Sequence, residues 1–244
     1  MEHYDLETIN YNNGRFYKTP NGIFLPSVTT VIGHSSDKTW LQEWRANVGD
    51  ETADRISTLS ANRGTIMHQM LEYYLSSLNL KESLLKLNNF VKTQGFTDLE
   101  YKIGLDLFWN IYHCGFFKRI KKVIALEIPL FATYNGGYAG RCDCIYLNHD
   151  DKIIFLDFKT SKKLKTVNQI IDYYLQLPAY LLAYYQRTGI KAHGAEIWMA
   201  MEKEESAEIF QMSIGDIKKY SKEFLKLVKI YHNDFNIEIR KLNN

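Results

Sequence analysis

Tyr138-Ala139-Gly140-Arg141-Cys142-Asp143-Cys144-Ile145-Tyr146 and Ile153-Ile154-Phe155-Leu156-Asp157-Phe158-Lys159-Thr160 are two short apolar segments joined by a polar turn, Asn148-His149-Asp150-Asp151-Lys152. That pattern reads as a β-hairpin with two buried strands. Side chains alternate along a strand, so Asp157 and Lys159 point to one face and Leu156 and Phe158 to the other. Charges ending an apolar strand are costly unless they face a cleft or each other. Asp143 lies mid-way along the partner strand, also between apolar neighbours. Two carboxylates and an ammonium on adjacent strands make a hard-cation site with a positive group beside it. A cross-strand ion pair without function would give the same tripeptide, so the wider pattern decides.

That pattern extends in both directions. Gly140-x-x-Asp143 precedes the Asp-x-Lys, and Gln176-x-x-x-Tyr180 follows on the next predicted helix. Upstream lie Glu127-Ile128-Pro129 and Ala61-x-Arg63-Gly64-x-x-x-His68. In this order the five motifs resemble the RecB-like branch of the PD-(D/E)xK nuclease superfamily, over about residues 25–185. Ser27-Val28-Thr29-Thr30, Trp40-Leu41-x-x-Trp44-Arg45 and Asp157-x-Lys159-Thr160-Ser161 look closest to the mitochondrial genome maintenance exonuclease group and its phage-borne relatives. The resemblance implies a nuclease that uses Mg²⁺ or Mn²⁺, with Asp143, Asp157, His68 and the main-chain carbonyl of Phe158 as ligands. An imidazole ligand tilts the preference towards Mn²⁺. Lys159 would orient the attacking water or neutralise the developing phosphorane charge. Glu127 and Gln176 would stand behind these groups, and the products would carry a 5′-phosphate and a 3′-hydroxyl. Several RecB-like relatives hold an iron–sulfur cluster through cysteines near the C-terminus. No cysteine follows Cys144 here, so no iron–sulfur cluster is expected.

Composition is that of an ordinary globule: 244 residues, 45% hydrophobic and 24% charged. A formal charge of +2 announces no polyanion partner, so any nucleic-acid footprint must be local. Met1-Glu2-His3-Tyr4-Asp5-Leu6-Glu7 is acidic and carries no leader pattern, which points to a cytoplasmic protein or, if phage-encoded, to the host cytoplasm. No apolar run approaches a membrane span. Three cysteines suit a reducing compartment, with Cys142 and Cys144 expected on the strand face opposite Asp143. No phosphate-binding loop of the ATPase type occurs, so neither ATP nor a fused motor is expected.

In chain order, Arg15–Lys18 and Ile23–Leu25 bracket Thr19-Pro20-Asn21-Gly22, a hairpin signal. Ser27 can cap a short helix after it. Thr39 to Ser77 is helical by spacing. Trp40, Leu41, Trp44 and Val48 form an expected core stripe, a second helix starts at Gly49-Asp50, and a third at Asn62 or Arg63 carries His68. Helices are also expected over Glu82–Thr93, Asp98–Cys114, Val167–Arg187 and Asp216–Lys241, with Gly95 as a stop. Gln169, Tyr173, Gln176, Tyr180 and Tyr184 share a helix face, where tyrosines could pack inward or stack bases. Candidate DNA contacts are Arg45, Arg63, Thr160, Ser161, Lys162, Lys163 and Tyr180, with Lys165 in the same basic loop.

Strands near 123–131, 138–147, 152–160, 195–201 and 206–213 make a mixed sheet, so the fold class is α/β (α+β). The expected architecture is a restriction-endonuclease-like core flanked by helices, with a largely helical N-terminal half. We expect one nuclease domain over 1–244, divided into residues 1–117 and a catalytic part 118–244. The expected activity is metal-dependent hydrolysis of single-stranded DNA at its ends, in replication, repair, recombination or degradation. A structure-selective endonuclease and a non-catalytic nucleic-acid-binding module on the same fold are the alternatives. Protein partners are not legible.

Overall fold

The computed structural model describes residues 5–11, 14–36 and 39–243. The start of the chain on which the leader expectation rests, residues 1–4, lies outside them.

A small sheet comes first, β1 (Thr8–Tyr11), β2 (Gly14–Lys18) and β3 (Phe24–Pro26), all antiparallel. The β2–β3 turn is the predicted one: Gly22 adopts φ 84°, and the buried Thr19 hydroxyl bonds Asn21, Ile23 O and Ile23 N. Helix α1 (Val28–Ser35) follows, capped by Ser27, whose hydroxyl accepts from Thr30 N at 2.9 Å. Then come α2 (Thr39–Val48), α3 (Asp50–Ser77), α4 (Leu80–Gln94) and α5 (Asp98–His113). Gly95 ends α4 in the left-handed conformation, and Thr97 with Glu100 forms a capping box on α5.

The main sheet has the order β4 (Lys122–Ala132), β5 (Tyr138–Leu147), β6 (Ile153–Ser161), β7 (Gly194–Met201) and β8 (Ser206–Met212). Only β6–β7 is parallel, because α6 (Ile171–Thr188) crosses between them. The β5–β6 turn is built on Asn148, whose Oδ1 accepts from Asp150 N and Lys152 N. After β8, α7 (Ile214–Asp234) and α8 (Asn236–Asn243) close the chain. The predicted C-terminal helix is thus two helices, separated at Phe235, which has left helical geometry.

Helices cover both faces of this sheet. On one side α1, α6 and α7 bury a core with Ile145, Phe155 and Ile197; on the other α3, α4 and α5 bury Cys144, Leu156, Phe158 and Trp198. The architecture is the expected α/β one, a mixed five-stranded sheet with flanking helices and a helical N-terminal half. No helix among the described residues is long and apolar enough to cross a membrane.

Three further expectations change. The second and third predicted helices are one 28-residue helix, α3. The stripe on α2 is not core: none of its residues is buried and Trp40 is 66% exposed. Cys142 and Cys144 are both buried but on opposite sides of the sheet. The β4–β5 ladder is irregular between them, with Glu127 at φ 46° between the pairs Leu126↔Cys144 and Ile128↔Cys142.

Candidate active site

The site forms where the β5–β6 ladder stops. From Leu147↔Ile153 to Cys144↔Leu156 the two strands pair regularly, then separate. Beyond the last pair, Phe158 N donates to Asp143 Oδ2 at 2.7 Å, so a side chain holds a position a backbone carbonyl would otherwise fill. On the other side of β5, Glu127 has φ 46° between the pairs Leu126↔Cys144 and Ile128↔Cys142. A left-handed residue inside a strand is strained. His68 reaches across from α3, with Nδ1 3.5 Å from Asp143 Oδ2. One ligand atom each from His68, Glu127 and Asp143 lies within 4.8 Å of the others.

Asp157 lies behind this triangle and is fully buried. Its Oδ2 has the Lys159 ammonium against it but no well-directed hydrogen-bond donor. Its Oδ1 accepts from Gln176 Nε2 at 3.2 Å, and the same amide donates to the Tyr180 hydroxyl at 2.9 Å. Tyr180 packs on Gly140, where an added Cβ would come within 2.7 Å of its ring. The Gly-x-x-Asp spacing therefore has a steric basis: the glycine admits the tyrosine that helps fix Gln176.

Crowding and burial make these carboxylates harder to ionise than free ones. Burial, then the Asp143 charge, pushes Glu127 up to about 8. Burial likewise raises Asp157 to about 6 and Asp143 above its ordinary range, against the pull of Lys159. Burial disfavours the Lys159 ammonium, but Asp157 and Asp143 outweigh it and its pKa is raised. Burial and the Lys159 charge push His68 down to about 4, leaving a neutral imidazole free to ligate. Carboxylate oxygens and one imidazole, with more negative charge than one ammonium can balance, are a donor set that fits a small divalent cation. The sequence reading set Glu127 behind the ligands; here it stands beside His68 and Asp143 in the group that could hold an ion. Asp157 and the Phe158 main chain adjoin the cluster.

Two clefts of about 350 and 600 Å³ meet here, sharing Arg15, Glu127, Arg141 and Asp143. One runs to Ser27 and Thr29 at the start of α1; the other follows Ser60, Ala61, Gly64 and Thr65 on α3. Arg15 and Arg141 were not singled out from sequence. Arg15 is placed because its main chain bonds the Thr30 hydroxyl and Ser27 N, tying β2 to α1. An exposed arginine on a short strand carries no signal until that tie is seen.

The expected DNA contacts divide. Lys162 and Lys163 are exposed, and Thr160 faces Gly64 on α3. Arg45 instead pairs with Asp50 and Asp54 at 2.9 and 2.8 Å. Arg63 is buried against Glu202, and the buried Ser161 hydroxyl donates to Lys163 O at 2.7 Å to hold the turn. Tyr180 is interior and offers no face to a base. Lys118-Arg119-Ile120-Lys121-Lys122, a basic run leading into β4, is also structural in part, since Arg119 donates to the buried Glu196 at 2.7 Å.

A sequence profile of the PD-(D/E)XK nuclease superfamily matches residues 42–241. No curated protein matches the chain. Among solved structures, a candidate exonuclease from Eubacterium rectale is 18% identical, with 75% of this chain and 68% of that one covered at a TM-score of 0.50. The structure of SSO0001 is 16% identical, covering 67% of this chain and 74% of its own at a TM-score of 0.33. The first likeness bears on the fold, and the second is too distant to argue from. The profile spans far more than half of the residues, with the main sheet, α3 and the His68, Glu127 and Asp143 group inside it, and on that ground the chain belongs to the PD-(D/E)XK nuclease superfamily.

Proposed function

We propose that this nuclease is a divalent-metal-dependent DNA exonuclease of the RecB-like branch, acting on single-stranded ends. The observation that carries the reading is the convergence of His68, Glu127 and Asp143 in one crevice, with the Asp157–Lys159 pair directly behind. Family members use divalent metals. A cation held by Asp143, Glu127 and His68, with Asp157 beside it, would supply Lewis-acid activation of water and of the phosphodiester. The protein's own groups do the rest. Lys159 neutralises charge that develops on the phosphate, Gln176 fixes the Asp157 carboxylate, and Arg15 and Arg141, the latter paired with the exposed Asp5 at 2.9 Å, line the clefts where phosphates would lie. Lys162 and Lys163, exposed on the turn that follows β6, add sequence-independent attraction.

What supports the single-strand preference is scale: the two clefts hold about 350 and 600 Å³, small beside a turn of duplex. The ordered motifs nearest the mitochondrial genome maintenance group and its phage relatives support action in replication, repair, recombination or DNA degradation. The test is a time course on end-labelled linear and circular DNA, single- and double-stranded, with Mg²⁺, Mn²⁺ or EDTA. Metal-dependent loss of linear single strands with circles spared is expected. Circles cut as fast as linear strands would make the enzyme an endonuclease, and no cutting under any metal would overturn the nuclease activity.

A further inference from the structure

We propose that Tyr173 is a positioning residue for Lys159, its ring holding the ammonium where it meets the phosphodiester. The inference rests on the reading of Lys159 given above. The Lys159 Nζ lies 4.9 Å from the centroid of the Tyr173 ring, within the reach of a cation–π contact. On its other flank stands the Asp157 carboxylate. An ammonium on a flexible four-carbon stem, given one carboxylate partner, is free to swing around it. The ring restricts that freedom from the α6 side. The Lys159 side chain is only 18% exposed, so water does little to dilute the attraction.

Helical spacing explains the arrangement. Tyr173 and Gln176 are three residues apart on α6 and share a face. Gln176 grips the carboxylate of the Asp157–Lys159 pair, and Tyr173 meets its ammonium. One turn of helix thus holds both members of the pair. The sequence placed Tyr173 on a face that could stack bases, and the ring has Lys159 over it instead.

The test compares Tyr173→Leu and Tyr173→Phe, in the wild-type and Lys159→Ala backgrounds, on a single-stranded oligonucleotide with Mn²⁺. Tyr173→Leu should lower kcat about 3- to 30-fold, the range of a partly desolvated cation–π contact, with KM changed less than about twofold. Tyr173→Phe, which keeps the ring, should restore most of the turnover. In the Lys159→Ala background Tyr173→Leu should cost nothing more, because its effect passes through the lysine. A rise in KM with kcat intact, or an equal loss without Lys159, would overturn the proposal in favour of a DNA contact. Lysine labelled with ¹³C gives a readout independent of activity. The ring should shift the Lys159 Hε resonance upfield, Tyr173→Leu should abolish the shift, and Tyr173→Phe should keep it. If the wild type cleaves no DNA, the nuclease reading falls, and this resonance still decides the role of Tyr173.

Discussion

Asp157 and Lys159 are two residues apart, and each is tolerable in its strand only because of the other and of Gln176. Asp157→Asn keeps the shape and an acceptor for Gln176 but leaves the Lys159 ammonium uncompensated, so it should melt earlier than the wild type and lose metal-dependent hydrolysis. Lys159→Ala should lower turnover about 10²–10⁴-fold while DNA affinity, read by fluorescence anisotropy, changes little. The positions of these two and of Asp143 in the crevice were legible because a charge among apolar strand residues must face something. Arg63 was not legible in the same way. Its partner Glu202 is 139 positions away, and no local pattern announces a pair that distant. Because Arg63 is buried and Glu202 partly exposed, Arg63→Ala should cost about 1–3 kcal/mol in a urea melt. The salt dependence of DNA binding should stay as it was, since no phosphate contact is lost.

Strands were readable from short apolar runs bounded by turns, and α4 and α5 from their apolar stripes and the Gly95 stop between them. Helix α3 was cut in two because Ser60-Ala61-Asn62-Arg63-Gly64 resembles a cap followed by a breaker. Packing overrides that signal: Arg63 is buried, and Gly64 lies opposite Thr160, with its oxygen 3.9 Å from a built Cβ. The α2 stripe misled in the opposite sense, since an amphipathic pattern does not say whether a neighbour exists to cover it. Close contact between α3 and α5 depends on Gly104, where an added Cβ would lie 2.7 Å from Ile66 and 2.9 Å from the Arg63 carbonyl. A backbone oxygen cannot step aside. Gly104→Ala should destabilise by about 1–3 kcal/mol even after the gain of up to about 1 kcal/mol in helix propensity. It should also reduce cleavage, because α3 carries His68; thermal melts and turnover measured together would check both effects.

At the scale of the whole molecule the clustered carboxylates set a pH dependence. Glu127 titrates at about 8 in the folded protein against an ordinary 4.5, and Asp157 at about 6 against 3.8. A folded state that binds protons more tightly than the unfolded chain is favoured at low pH. The contribution is complete below the unfolded values and is lost as pH rises to about 8. Melts in EDTA should accordingly show Glu127→Gln gaining on the wild type as pH rises from about 5 to 8. Mn²⁺ should raise Tm more at the upper end, because its carboxylate ligands must shed protons to bind it. A wild type that gains stability relative to Glu127→Gln over that range would contradict the assignment. The crevice wall opposite α3 depends on distant chain: His34 on α1 meets Asp234 at 2.8 Å, and the Asn243 amide bonds both Phe24 N and Phe24 O. None of these ties was predictable from local sequence.

The bond from Phe158 N to Asp143 Oδ2 gives the site its own spectroscopic gauge. A carboxylate that shares its electron density with a cation is a poorer acceptor for that amide proton. The Phe158 amide resonance should move as metal is titrated in, ahead of any cleavage and without a label on the substrate. Occupancy could then be followed in the intact enzyme through a single main-chain nucleus.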